Sequence, residues 1–204
     1  MRAWRLKRDY GMFAAPADHS AESLAALAAL LPEDGAPLIV VDGRACPPCP
    51  GAQLAGPHEA VVQMICETPA AARPPDFEML SLTEDDAAEM YDLAMLTKPG
   101  PYARHTNRLG DFLGVRVDGA LVAMAGERMR LPGLAEVSGV CTHPDHRGKG
   151  YAAGLIGGVM HRMRTKGETP FLHAMADNHG AIAVYERLGF RHRATMMGCA
   201  LVPA

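Results

Sequence analysis

The sequence predicts a mixed α/β fold, with a helix-flanked sheet over residues 76–204 preceded by a small α/β segment over residues 1–75. Three observations carry that prediction. After residue 76, strand-like apolar stretches alternate with helical stretches, in the order β-α-β-β-β-α-β-α-β. Capping residues and Gly or Pro breakers separate them. The 204 residues are 49% apolar and 21% charged, ordinary globular usage that excludes a disordered chain.

In the first segment, Ser20 caps a short helix that runs to Leu31 and stops at Pro32. Pro37 to Gly43 reads as a buried strand ending in a turn, and Glu59 to Cys66 as a second strand. Segment 67–76, ETPAAARPPD, has no hydrophobic period and reads as a linker. Phe77 to Leu82 then alternates as a strand. Thr83 and Asp86 form a capping box for a helix that runs to about Leu96, where Lys98-Pro99-Gly100-Pro101 breaks it. Phe112 to Val117 and Leu121 to Arg130 are strands joined by the hairpin turn Asp118-Gly119. Glu136 to Thr142 is a strand, Tyr151 to Lys166 a helix closed by Gly167, and Phe171 to Ala176 a strand. Asn178 caps a helix that ends at Gly189, and Thr195 to Val202 is the last strand.

Composition excludes several function classes. The net charge of −3 gives no global basic field for nucleic acid. The longest apolar run, Leu24 to Leu31, falls far short of the roughly 20 residues a bilayer requires, so no membrane partner is expected. The basic N-terminus is not followed by a signal-type apolar stretch, and five cysteines are an odd number. A soluble cytoplasmic protein, monomer or homodimer, is the expectation.

The chemistry concentrates between Val140 and Ala152. A strand there runs through a Pro-containing turn into a Gly-rich loop and a helix N-terminus, where backbone N–H groups and the helix dipole favour an anion. Between residues 141 and 166, Arg147, Lys149, Arg162, Arg164 and Lys166 face one acid, Asp145, a local charge of +4 that suits a pyrophosphate. A P-loop would need Ser or Thr after Lys149, where Gly150 stands. Gly148, Gly150 and Ala153 satisfy the letters of the dinucleotide fingerprint. Residues 144–147 separate them from the strand, however, and the nearest acid, Glu168, precedes the next strand.

The stretch Arg147-Gly148-Lys149-Gly150-Tyr151-Ala152 resembles the (Gln/Arg)-x-x-Gly-x-(Gly/Ala) signature of the GNAT superfamily of acyl-CoA-dependent N-acetyltransferases. Asn178 to Phe190, NHGAIAVYERLGF, is similar to that family's second signature, and the resemblance covers residues 76–204. Stretches such as EVSGVCTHP look most like the glycine N-acyltransferase-like branch. The resemblance implies a mostly antiparallel central sheet and transfer of an acetyl group from acetyl-CoA to a primary amine by direct attack. It places the pyrophosphate on Arg147, Gly148, Lys149, Gly150, Tyr151 and Ala152. It places the pantetheine arm on Val140, Cys141, Thr142 and Asn178. It makes Glu136 the general base and Tyr185 the general acid.

On a regular strand Glu136, Ser138 and Val140 share one face, and partial burial raises the pKa of a basic Glu136. His173 is the alternative base. Gly139 marks a place for a bulge or splay. The irregular stretch 97–109, with Tyr102, Arg104 and His105, is expected to shape the pocket for a small-molecule or peptide amine. A non-catalytic acyl-CoA sensor is the rival reading. Cys46-Pro47-Pro48-Cys49 invites a redox reading, or a zinc reading with His58 and Cys66, but Pro50-Gly51 argue against the helix a redox pair needs. No metal is expected.

Overall fold

Local signals set most element ends in the computed structural model, which describes residues 1–71 and 75–204. The elements are β1 (Ala3–Arg5), β2 (Ala14–Pro16), α1 (Ala21–Ala28), β3 (Leu38–Asp42), β4 (Ala52–Leu54), β5 (Glu59–Ile65), β6 (Leu80–Leu82), α2 (Ala87–Thr97), β7 (Phe112–Val117), β8 (Ala120–Leu131), β9 (Leu134–Thr142), α3 (Tyr151–Thr165), β10 (Thr169–Met175), α4 (His179–Arg187) and β11 (Arg191–Pro203). Ser20 accepts from Ser23 N to open α1. The Thr83/Asp86 capping box is present, although it opens a 3-10 turn, Glu84–Asp86, that leads into α2. Lys98, in the left-handed region, closes α2 before Pro99.

Nine strands form one sheet in the order β3-β11-β5-β10-β9-β8-β7-β6, with β4 also on β11. The strand pairs within this sheet are antiparallel except β9 with β10, which are joined through α3 by a crossover and run parallel. Strand β5, from residues 1–75, lies between β10 and β11, and β3 occupies the edge. The first segment thus completes the sheet of the second. Residues 72–74 of the expected linker lie outside the described residues. Strands β1, β2 and β4 carry no sequence signal, being three residues each. Strand β11 begins four residues before the expected Thr195 because the β5 ladder continues past a bulge at residues 192–194.

The faces of the sheet separate two kinds of side chain. Helix α3 buries Leu155, Ile156, Val159 and Met163 against Val137, Leu172 and Met64, and Ile182 and Tyr185 of α4 join this cluster. Helix α2 covers Phe112, Met124 and Cys141 on the opposite face. A third cluster puts α1 and the Cys46–Cys49 loop over Val40, Cys199 and Leu201.

Three residues of β8 (Met124 to Gly126) match four of β9 (Ser138 to Cys141), so β9 carries a bulge at residues 139–140. Gly139 adopts φ +62°, as such a bulge requires, and a Cβ there would lie 2.8 Å from the Phe112 ring. The extra residue inverts the alternation. Glu136 and Ser138 share a face, but Val140 turns to the α3 side and Cys141 to the α2 side. The expected common face for Glu136 and Val140 is therefore not formed.

Candidate active site

Strands β9 and β10 pair only at Leu134–Thr169, Ala135–Pro170 and Glu136–Phe171, and then diverge. Beyond Glu136 the β10-facing backbone groups of residues 137–142 have no sheet partner among the described residues. The opening leads into a cleft of about 1070 Å³ that both faces of the sheet line.

On the α3 side the cleft ends at the glycine loop. A 3-10 turn, Pro144–His146, follows His143, and Gly148 and Gly150 both take φ +77°. A Cβ at either glycine would meet nothing within 4 Å, so the loop is an open backbone cradle. Gly150 is the N-cap of α3 and no side chain caps that end, which leaves its first N–H groups free for an anion. Arg147, Lys149, Tyr151 and Ala152 line the same end, as do Val140, Cys141 and Thr142 along the strand. Burial pushes the Cys141 thiol up to about 11, which leaves its backbone rather than its sulfur to serve a ligand. Asn178 Oδ1 caps α4 by accepting from Ala181 N at 3.2 Å, and its Nδ2 has no protein partner among the described residues. Tyr185 lines the cleft and meets Phe190 edge-on at 6.1 Å between centroids. Burial raises its phenol above the usual value, so it holds its proton.

The other face carries a chain of polar contacts. Glu136 is fully buried (0% exposed). Arg128 Nε and Nη2 donate to its two oxygens at 2.9 and 2.7 Å, and His173 Nδ1 lies 2.7 Å from Oε1. Burial alone would push this carboxyl up. The His173 hydrogen bond and the Arg128 charge outweigh it and hold the pKa down to about 2. The expected raised pKa is therefore overturned, because two cationic or donor partners replace the lost water. A carboxylate so stabilised is a weak base. His173, on the cleft wall, keeps Nε2 turned to Gln63 at 2.9 Å.

Residues 1–75 shape this face of the cleft, which composition could not reveal. Gln63 faces His173 directly across β5 and β10. Val61, Val41 and Ile39 line the cleft with Gly198 and Ala200. Phe13 bridges to Ile39 at the β3 edge, and the Arg128 guanidinium sits 4.6 Å from its ring centroid. That contact ties the β3 edge to β8 across the face. The segment that carries Phe13, between β1 and β2, is held further by His105 N donating to Asp9 O at 2.7 Å and by the Tyr10–His105 ring contact at 5.6 Å.

The acceptor-side residues expected at 97–109 are only partly in place. Thr97 to Pro101 line the cleft. Tyr102 is instead buried in the α2 cluster, Arg104 stacks on Tyr91 at 4.9 Å, and His105 packs against Tyr10. The cysteine motif is apart from this chemistry. Cys46 and Cys49 sit 3.8 Å apart between their sulfurs, under α1, with no helix after them. Cys66 lies in the α3-side core, so the spacing that suggests zinc is not assembled, and no group of metal ligands forms among the described residues.

A family model described as FR47-like protein matches residues 112–197, from β7 into β11. A crystal structure of a protein from the GNAT family, from Novosphingobium aromaticivorans, is 43% identical, covers 100% of this chain and 89% of its own, and superposes with a TM-score of 0.89. The chain belongs to the GNAT family. A GCN5-related N-acetyltransferase from Kribbella flavida shares the fold at 20% identity and TM-score 0.63, over 94% of this chain and 80% of its own. The ribosomal-protein-S18-alanine N-acetyltransferase from Escherichia coli does so at 21% identity and TM-score 0.51, over 62% of this chain and 94% of its own. No curated protein sequence matches. No helix among the described residues of this GNAT protein is long and apolar enough to cross a membrane.

Proposed function

We infer that the protein transfers an acetyl group from acetyl-CoA to a primary amine, with His173 as the base and Tyr185 as the acid. The observation that carries this reading is the parting of β9 and β10. It leaves an opening with an open backbone cradle on one side of the sheet and the Glu136–His173 pair on the other. The uncapped α3 N-terminus and the open space at Gly148 and Gly150 fit a pyrophosphate, and Arg147 and Lys149 add charge.

Acetyl-CoA, when bound, supplies an acetyl group activated as a thioester. The protein's own part falls into three steps. Unpaired backbone groups of residues 137–142 orient the pantetheine arm and the acyl oxygen. His173 Nε2 takes a proton from the attacking amine, while Glu136 holds Nδ1–H and stabilises the imidazolium that forms. Tyr185, its proton retained by burial, protonates the departing sulfur from the α4 side. Base and acid thus come from opposite faces of the sheet. The amine enters over Gly198, Val61 and Val41, beneath Phe13.

Thermal-shift titration of the purified protein with acetyl-CoA, coenzyme A, NADH and ATP tests the donor. A ligand at 100 times its Kd stabilises a fold by about 2.7 kcal/mol. A shift with acetyl-CoA and coenzyme A alone is expected, followed by thiol release across a panel of small-molecule and peptide amines. A shift with NADH only overturns the cofactor. Acetyl-CoA binding with no turnover across the panel would favour an acyl-CoA sensor.

A further inference from the structure

The base must present a lone pair, and what fixes that lone pair lies in the N-terminal segment. A neutral imidazole carries its proton on one nitrogen, and its two partners decide which. His173 Nδ1 is 2.7 Å from Glu136 Oε1, an acceptor already held by Arg128. His173 Nε2 is 2.9 Å from Gln63 Nε2. An amide can be turned over to present its oxygen, which would draw the proton to Nε2. Arg193 prevents this. Its Nη1 donates to Gln63 Oε1, so a reversed amide would set N–H against N–H. The chain of donation is thus Arg193 to Gln63 to His173 to Glu136, with Arg128 closing the far end.

We propose that Gln63 is a positioning residue that holds His173 in its Nδ1–H form, so that residues 1–75 complete the base. This rests on His173 being the base, as argued above. The charged groups in the hydrogen-bond chain through the ring are Glu136 from β9, Arg128 from β8 and Arg193 from β11, and Glu59 from β5, Tyr185 from α4, Lys98 and Cys141 line the same cleft. The incoming amine displaces the Gln63 amide from Nε2, and the lone pair is then already aimed into the cleft. No strand of residues 76–204 could supply this group, because β5 is the strand that pairs with β10 on that side.

Long-range ¹⁵N–¹H spectra of the full-length protein read the ring directly, without any acetyl transfer. The wild type is expected to show the proton on Nδ1 of His173. Gln63→Glu replaces the donor with an acceptor and is expected to leave both ring nitrogens protonated at neutral pH. It should lower kcat about 10²-fold, within the range general-base catalysis supplies, with KM for acetyl-CoA unchanged. Arg193→Ala, an exposed change that leaves β5 intact, should populate both tautomers. A proton on Nε2 in the wild type overturns the proposal, and so does a Gln63→Glu ring that keeps the wild-type pattern. If the tautomers respond as expected but no amine is acetylated, the proposed reaction fails while the role of Gln63 over His173 stands.

Discussion

Replacing Glu136 by Gln removes the charge from the most deeply buried polar group of the site while keeping its shape. The carboxylate is fully buried, ion-paired to Arg128 and hydrogen-bonded to His173. Its pKa falls from the ordinary 4.5 to about 2. A shift of that size corresponds to roughly 3 kcal/mol of folding stability at neutral pH, at 1.36 kcal/mol per unit. The same order follows from the cost of stranding a buried partner, about 3–5 kcal/mol, since Arg128 is only 11% exposed. The sign follows from linkage. The native pKa is depressed, so the stabilisation is present above the unfolded pKa near 4.5 and is lost as pH falls towards 2. Urea titrations at pH 5 and pH 3 should therefore give a Glu136→Gln deficit of about 3 kcal/mol at the higher pH and about half of that at the lower. At neutral pH the melting temperature should drop by roughly 6–12 °C. A deficit below about 1 kcal/mol, or one independent of pH over this range, would refute the ion-pair argument.

Four further outcomes are expected. Tyr185→Phe should lower kcat about 10²-fold or more and leave acetyl-CoA affinity unchanged, checked by thiol release and calorimetry; an unchanged kcat removes Tyr185 as the acid. Gly150→Val puts a β-branched residue at φ +77° in the cradle and should abolish the thermal shift with coenzyme A, whereas an intact shift would place the pyrophosphate elsewhere. Phe13→Ala takes the roof from Arg128 and should raise the acceptor KM several-fold, about 0.5–2 kcal/mol of cation–π contact, while the acetyl-CoA KM stays constant. Burial raises the Cys49 thiol to about 11, so its native reaction with a thiol reagent at pH 7.5 should be far slower than in urea; equal rates would contradict its burial.

Features that depend on local chemistry are legible in the chain before it folds. Caps at Ser20, Thr83 and Asn178, breakers at Pro99 and Gly189, and the hairpin turn at Asp118-Gly119 act over a few residues and are legible in order. So was the glycine loop, because an open cradle at a helix N-terminus is written in six consecutive residues. Gly139 advertised the bulge, but its effect on the face of Val140 depended on the β8 register. The base was beyond local reading. Whether Glu136 is a free carboxylate or half of an ion pair depends on Arg128, eight residues away on another strand, and on His173, thirty-seven residues on. The place of residues 1–75 was further still, since β5 enters the sheet between two strands that lie more than a hundred residues later. Strand insertion is a long-range pairing with no local signature, and only the tertiary structure brings Gln63 to His173 and Phe13 to Arg128.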